Sequence, residues 1–166
     1  MFLFITGKQN SGKSEYAEKC ACELNINRFY LATMQVMDDD GIKRVKRHRE
    51  LRSGKGFITI ECPKDIDKLE FEQDSVVLLE CISNLVGNEM FAGIKPEDIS
   101  HTVDKVMTEV MALVNKVDDV VVVSSIYDDS EVTLDAQTSS YMEALRIVND
   151  KLTKLADKAV VISTKH

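Results

Sequence analysis

The sequence predicts an α/β fold, a mostly parallel sheet with helices on both faces, and three observations carry that expectation. Short apolar runs rich in Val, Ile, Leu and Phe recur along the chain. Longer segments with helical spacing separate them. The first junction between the two kinds is a glycine-bearing loop. Apolar runs too short for helices read as buried strands, and their alternation with helices implies parallel pairing through crossovers.

The strands are expected at residues 2–6, 29–33, 57–61, 76–81, 120–124 and 159–163, and the helices at 13–24, 39–52, 82–92, 99–117 and 134–155. In the last helix Met142, Leu145, Val148, Leu152 and Leu155 recur at intervals of three and four, a stripe expected to face the sheet. With 166 residues, 44% of them hydrophobic, two prolines and no low-complexity linker, the chain is expected to form one domain spanning residues 1–166.

A formal net charge of -7 argues against broad attraction to nucleic acid or anionic lipid, so any anion must bind a local basic patch. Apolar runs such as 76–79 and 120–123 fall far short of the roughly 20 residues that a membrane helix needs. The opening Met1-Phe2-Leu3-Phe4-Ile5 lacks a positive leader and meets Gly and Lys at once, which suits a buried first strand better than a signal peptide. The four cysteines, Cys20, Cys22, Cys62 and Cys81, match neither zinc nor redox spacings. They read as reduced, small apolar residues of a cytoplasmic protein.

Gly7-Lys8-Gln9-Asn10-Ser11-Gly12-Lys13-Ser14 fits G-x-x-x-x-G-K-S and stands after an apolar run and before a helical segment, as a phosphate loop must. Its glycines let main-chain N–H groups turn around phosphates, the helix beginning near Lys13 offers its positive end, and the Lys13 ammonium reaches the terminal phosphates. Ser14 can ligate Mg2+. The pattern arises by chance in roughly one unrelated chain of this length in a hundred or two. The fold class narrows to a P-loop NTPase-like (RecA-like) sheet. A second acid is expected at a neighbouring strand end, and Glu80, closing Val76-Val77-Leu78-Leu79, is the better candidate because Asp118 and Asp119 precede their strand.

Within this acidic chain, Lys43-Arg44-Val45-Lys46-Arg47-His48-Arg49-Glu50-Leu51-Arg52 concentrates positive charge. By itself such a run is most simply a solvated helix face, and with no aromatic residues interleaved it makes a poor RNA-binding arm. Beside a phosphate loop its arginines gain a task, stabilising charge on a leaving pyrophosphate. Neighbouring cations disfavour protonation of His48, leaving its imidazole nucleophilic near neutral pH. His101 and His166 lack such surroundings and read as structural or solvent-exposed.

The phosphate loop after the first strand, Phe29-Tyr30-Leu31-Ala32-Thr33, the acidic Asp38-Asp39-Asp40, Arg44, Arg47-His48-Arg49, Arg52, Glu61 and Leu78-Leu79-Glu80-Cys81-Ile82 resemble the adenosylcobinamide kinase and adenosylcobinamide-phosphate guanylyltransferase family of cobalamin biosynthesis. Val148-Asn149, Leu152, Ala156-Asp157 and the final strand resemble it too. The resemblance implies a bifunctional transferase that phosphorylates the aminopropanol hydroxyl of a corrinoid and then transfers GMP through a GMP-histidine at His48. It implies catalytic roles for His48 and Lys13. It implies nucleotide contacts from the loop Gly7 to Ser14, from Ala32, Thr33 and Met34, from Arg49, Glu50, Leu51 and Arg52, and from Glu61 and Glu80. Mg2+ at Ser14 and Glu80, GTP or ATP as substrate, and a homotrimer complete the expectation.

A carboxylate at Glu61 or Glu80 can accept two hydrogen bonds from guanine, so metal positioning and base recognition compete for Glu80. The family's T-N-E-V-G-x-G-x-V-P segment is replaced here by Ser124-Ser125-Ile126-Tyr127-Asp128-Asp129-Ser130-Glu131-Val132. The acceptor is therefore less defined than the nucleotide. Two other readings stand beside this one: a P-loop kinase for another small alcohol, and a non-catalytic GTP-binding regulatory protein.

Overall fold

The computed structural model describes residues 1–35, 39–127 and 135–163, apart from the side chains at positions 48 and 51. Its strands β1 (Phe2–Gly7), β2 (Arg28–Ala32), β3 (Phe57–Glu61), β4 (Val76–Glu80), β5 (Asp119–Ser125) and β6 (Lys158–Ile162) form one sheet ordered β3-β2-β4-β5-β1-β6. Every neighbouring pair is parallel, which sharpens the expected mostly parallel sheet into an all-parallel one.

Period-two alternation along the central strands feeds two cores. Phe2, Phe4, Val77, Leu79, Val120 and Val122 pack with α3 (Ile82–Met90), α4 (Ile99–Lys116) and α5 (Ala136–Leu155). Leu3, Ile5, Val76, Leu78, Val121 and Val123 pack with α1 (Lys13–Leu24). Ala17 and Ala21, four residues apart, are fully buried; their small side chains let α1 approach the sheet closely. On the α1 face lies α2 (Asp39–Arg52), whose last residue, Arg52, stacks on Tyr30 of β2. Asp98 starts α4 by accepting the His101 N–H at 2.7 Å, and Asp135 starts α5 by accepting from Gln137.

Several expected boundaries shift. β1 runs on through Gly7; β2 stops at Ala32 and β4 at Glu80, just before the Thr33 hydroxyl takes up the N–H and carbonyl of Cys81. The helix expected to reach residue 92 ends at Met90, and α4 ends one residue early, at Lys116. Leu134 lies outside the described residues, and α5 begins at Ala136. Of the stripe on α5, Leu145, Val148 and Leu152 are buried, Met142 is half-buried and Leu155, the last residue of the helix, is exposed. Six buried strands were expected, but β3 and β6 are the sheet edges, and Ile58 and Val161 face solvent.

All four cysteines are free thiols; Cys20 and Cys62 pack against the cores as small apolar groups. Among the described residues no helix is long and apolar enough to cross a membrane. One polar cluster interrupts the larger core: Lys105 on α4 donates to Asp65 at 2.7 Å and to Glu109 at 2.8 Å, and lies 3.2 Å from Glu89.

Candidate functional site

Parallel register brings the carboxyl ends of the strands to one edge: Gly7 stands beside Ser125, Ala32 beside Glu80 and Glu61, and Glu80 beside Val123. Ligands in parallel α/β sheets bind outside such ends. The loop between β1 and α1 occupies this position. Asn10 and Gly12 take positive φ, 62° and 90°, and Gly12 immediately precedes the helix. Gly7 is pressed against the loop, since a Cβ there would lie 2.6 Å from Ser11 Oγ and 2.9 Å from the Ile162 carbonyl oxygen. The Ser11 hydroxyl is buried beneath without a partner.

From this loop Lys13 donates to the Lys8 carbonyl at 3.1 Å. Burial lowers the Lys13 pKa, while Cys81 and Glu80 oppose the shift. The Ser14 hydroxyl donates to Glu80 Oε1, and the Tyr30 hydroxyl donates to Glu80 Oε2, so both carboxylate oxygens are engaged. Two hard oxygen donors, the Ser14 hydroxyl and the Glu80 carboxylate, thus meet beside a lysine, a donor set suited to Mg2+ with phosphate oxygens.

A cleft of about 270 Å³ opens over these groups. Gln9, Asn10, Lys13 and Ser14 line its floor, Ala32, Met34, Glu61 and Glu80 come from the strand ends, and Arg44, Arg47, Arg49 and Arg52 face it from α2. Arg49 forms an ion pair with Glu61. The C-terminal end of α2 is anchored from below: Lys55 pairs with the buried Glu18 of α1 at 2.9 Å, and Arg28 donates to the Lys55 carbonyl at 2.6 Å. An otherwise solvated basic helix is thereby held over a phosphate loop.

Other expected site residues take different places. Gly7, Lys8, Ser11 and Gly12 shape the loop without lining the cleft, and Glu50 is exposed. Thr33 is fully buried behind it: its hydroxyl accepts from the Cys81 N–H and donates to the Cys81 carbonyl, both at 2.8 Å. The main chains of His48 and Leu51 belong to α2, but their side chains lie outside the described residues. So do Asp38 and His166 entirely. His101 is exposed and 3.8 Å from Glu97, in keeping with a surface role. Of the diverged segment 124–132, Ser125 and Tyr127 line the cleft, while residues 128–132 lie outside the described part. Sequence reasoning passed over Tyr30, although a tyrosine at the centre of a buried strand must find its hydroxyl a partner.

Strand, loop, helix start and facing carboxylate define a P-loop-like α/β protein. More narrowly, the chain belongs to the cobinamide kinase / cobinamide phosphate guanyltransferase family, whose sequence model matches residues 3–164. It is similar to the bifunctional adenosylcobalamin biosynthesis protein CobU of Salmonella typhimurium, 35% identical over 95 residues that cover 55% of this chain and 51% of that one. The protein of the same name from Escherichia coli is 34% identical over 94 residues, covering 55% and 51%. The aligned stretch spans about half the length of these curated relatives.

Proposed function

We propose that this chain is a bifunctional, nucleotide-dependent transferase of cobalamin biosynthesis, acting first as an adenosylcobinamide kinase and then as an adenosylcobinamide-phosphate guanylyltransferase. The observation that carries the reading is the meeting of Lys13, Ser14 and Glu80 under the arginines of α2, the helix to which His48 belongs. A triphosphate lies along the loop with its main-chain amides on the phosphates and Lys13 on the terminal ones. Ser14 and Glu80 would hold Mg2+, which would supply neutralising charge to the phosphate oxygens.

In the kinase step the acceptor hydroxyl oxygen forms a bond to the γ-phosphorus of GTP or ATP, the bond to the β-phosphate oxygen breaks, the nucleoside diphosphate leaves, and the hydroxyl proton passes to solvent. In the transferase step a His48 nitrogen forms a bond to the α-phosphorus of GTP, the bond to the β-phosphate oxygen breaks, and pyrophosphate leaves beside the α2 arginines. The corrinoid phosphate then displaces the imidazole and carries GMP away. Glu61 is the better guanine acceptor, because both oxygens of Glu80 already accept from hydroxyls. The homotrimer, implied by family resemblance, and the cytoplasmic setting, suggested by the free cysteines, belong to the same proposal.

Incubation with Mg2+ and GTP radiolabelled at the α-phosphorus tests the reading. Acid-labile label on the unaltered chain and its loss in His48→Ala are expected. Label retained in His48→Ala would sink the histidine assignment. Consumption of the γ-phosphate without any adduct would favour a kinase for another small alcohol, and binding without turnover a regulatory protein.

A further inference from the structure

Tyr30 joins the two charged ends of the cleft. Its side chain, 3% exposed, sits at the centre of β2 and uses both its polar and its aromatic parts. The hydroxyl donates to Glu80 Oε2, the oxygen that Ser14 does not use. The ring carries Arg52, whose guanidinium carbon lies 3.5 Å from the ring centroid.

Arg52 needs that support. It is 5% exposed, its Nε and Nη1 have no hydrogen-bond partner among the described residues, and its contact from Nη2 to Thr59 Oγ1 is a long 3.5 Å. A hydrogen bond that long orients weakly, so the aromatic face is what fixes the guanidinium plane. A buried guanidinium with unpaired N–H groups at the wall of a cleft is arranged for an anion.

We propose that Tyr30 is a positioning residue with two separable tasks: its hydroxyl sets the Glu80 carboxylate against Ser14, and its ring holds Arg52 toward the polyphosphate. The inference rests on the reading that the cleft takes a nucleoside triphosphate. The two tasks predict different losses, since the first serves the metal and the second the phosphate anion.

Binding of a fluorescent GTP analogue, titrated with Mg2+ and followed in the intact chain, separates them. Tyr30→Phe is expected to raise the Mg2+ concentration needed for half-maximal binding about tenfold, with affinity at saturating Mg2+ within about threefold of the parent. Tyr30→Leu is expected to lower affinity at saturating Mg2+ about tenfold. Should Tyr30→Leu not fold, Arg52→Met takes its place and must give the same loss, while Tyr30→Phe must not. Equal affinities at saturating Mg2+ in the two variants, or an unchanged Mg2+ requirement in Tyr30→Phe, would overturn the two separable tasks and leave the nucleotide reading standing. An unaltered chain that binds no GTP analogue would overturn both.

Discussion

The Ser14 hydroxyl donates to Glu80 Oε1 across 66 residues of sequence, joining the start of α1 to the end of β4. Two hard oxygen donors meet there beside the half-buried Lys13. Replacing Lys13 by Ala removes a positive charge from the floor of the cleft, and triphosphate binding is expected to disappear. Glu80→Gln keeps the shape but weakens the metal contribution, so binding should lose most of its Mg2+ dependence. Isothermal titration with and without Mg2+ measures both, and unchanged affinity in Lys13→Ala would refute the phosphate-loop assignment.

The two loop glycines are needed for different reasons, which their alanine variants distinguish. At Gly12 the strain is in the backbone: φ is 90° and a Cβ would have no neighbour within 4 Å, so Gly12→Ala should cost about 1 kcal/mol. At Gly7 the obstacle is contact, with Ser11 Oγ at 2.6 Å and the Ile162 carbonyl at 2.9 Å. Gly7→Ala should therefore cost more, about 2–3 kcal/mol, and disturb the loop. Thermal denaturation orders the pair, and a larger loss in Gly12→Ala contradicts this account.

Thr33 ties β2 to β4 at the point where the site begins. Thr33→Val preserves volume but leaves the buried N–H and carbonyl of Cys81 without their side-chain partner, at an expected cost of about 1–3 kcal/mol. Chemical denaturation gives the number. A loss under about 0.5 kcal/mol would mean that the Cys81 main chain finds other partners.

The phosphate loop, the alternation of strands and helices and the basic helix were legible because each follows from local pattern: glycine placement, short apolar runs between helical segments and a run of one charge sign. Edge and centre were not, since β3 and β4 are both short and apolar and only the crossover order makes one exposed. Thr33 illustrates the same limit. As part of an expected nucleotide-contacting triplet it looked like its neighbours Ala32 and Met34, yet its hydroxyl is taken up by a residue 48 positions away. The cluster of Lys105, Asp65, Glu89 and Glu109 was equally invisible, because only Lys105 and Glu109 share a helical spacing and Asp65 and Glu89 come from other parts of the chain.

That cluster gives the chain a pH dependence whose sign can be worked out. Burial, reinforced by a hydrogen bond with Glu89 and opposed by Lys105, pushes the Glu109 carboxyl up to about 8 from an ordinary 4.5. A carboxyl raised on folding binds its proton more tightly in the native state. Its contribution is complete below about pH 4.5 and is lost as pH rises toward 8, with a slope of at most about 1.4 kcal/mol per pH unit. Asp65, lowered chiefly by its hydrogen bond from Lys105, gives the opposite slope at more acid pH, so pH 6 to 8 isolates Glu109. Over that range urea midpoints of the parent should fall relative to those of Glu109→Gln, whose side chain has no proton to lose. Parallel midpoint curves for the two proteins would show that the Glu109 proton is not held in the folded state.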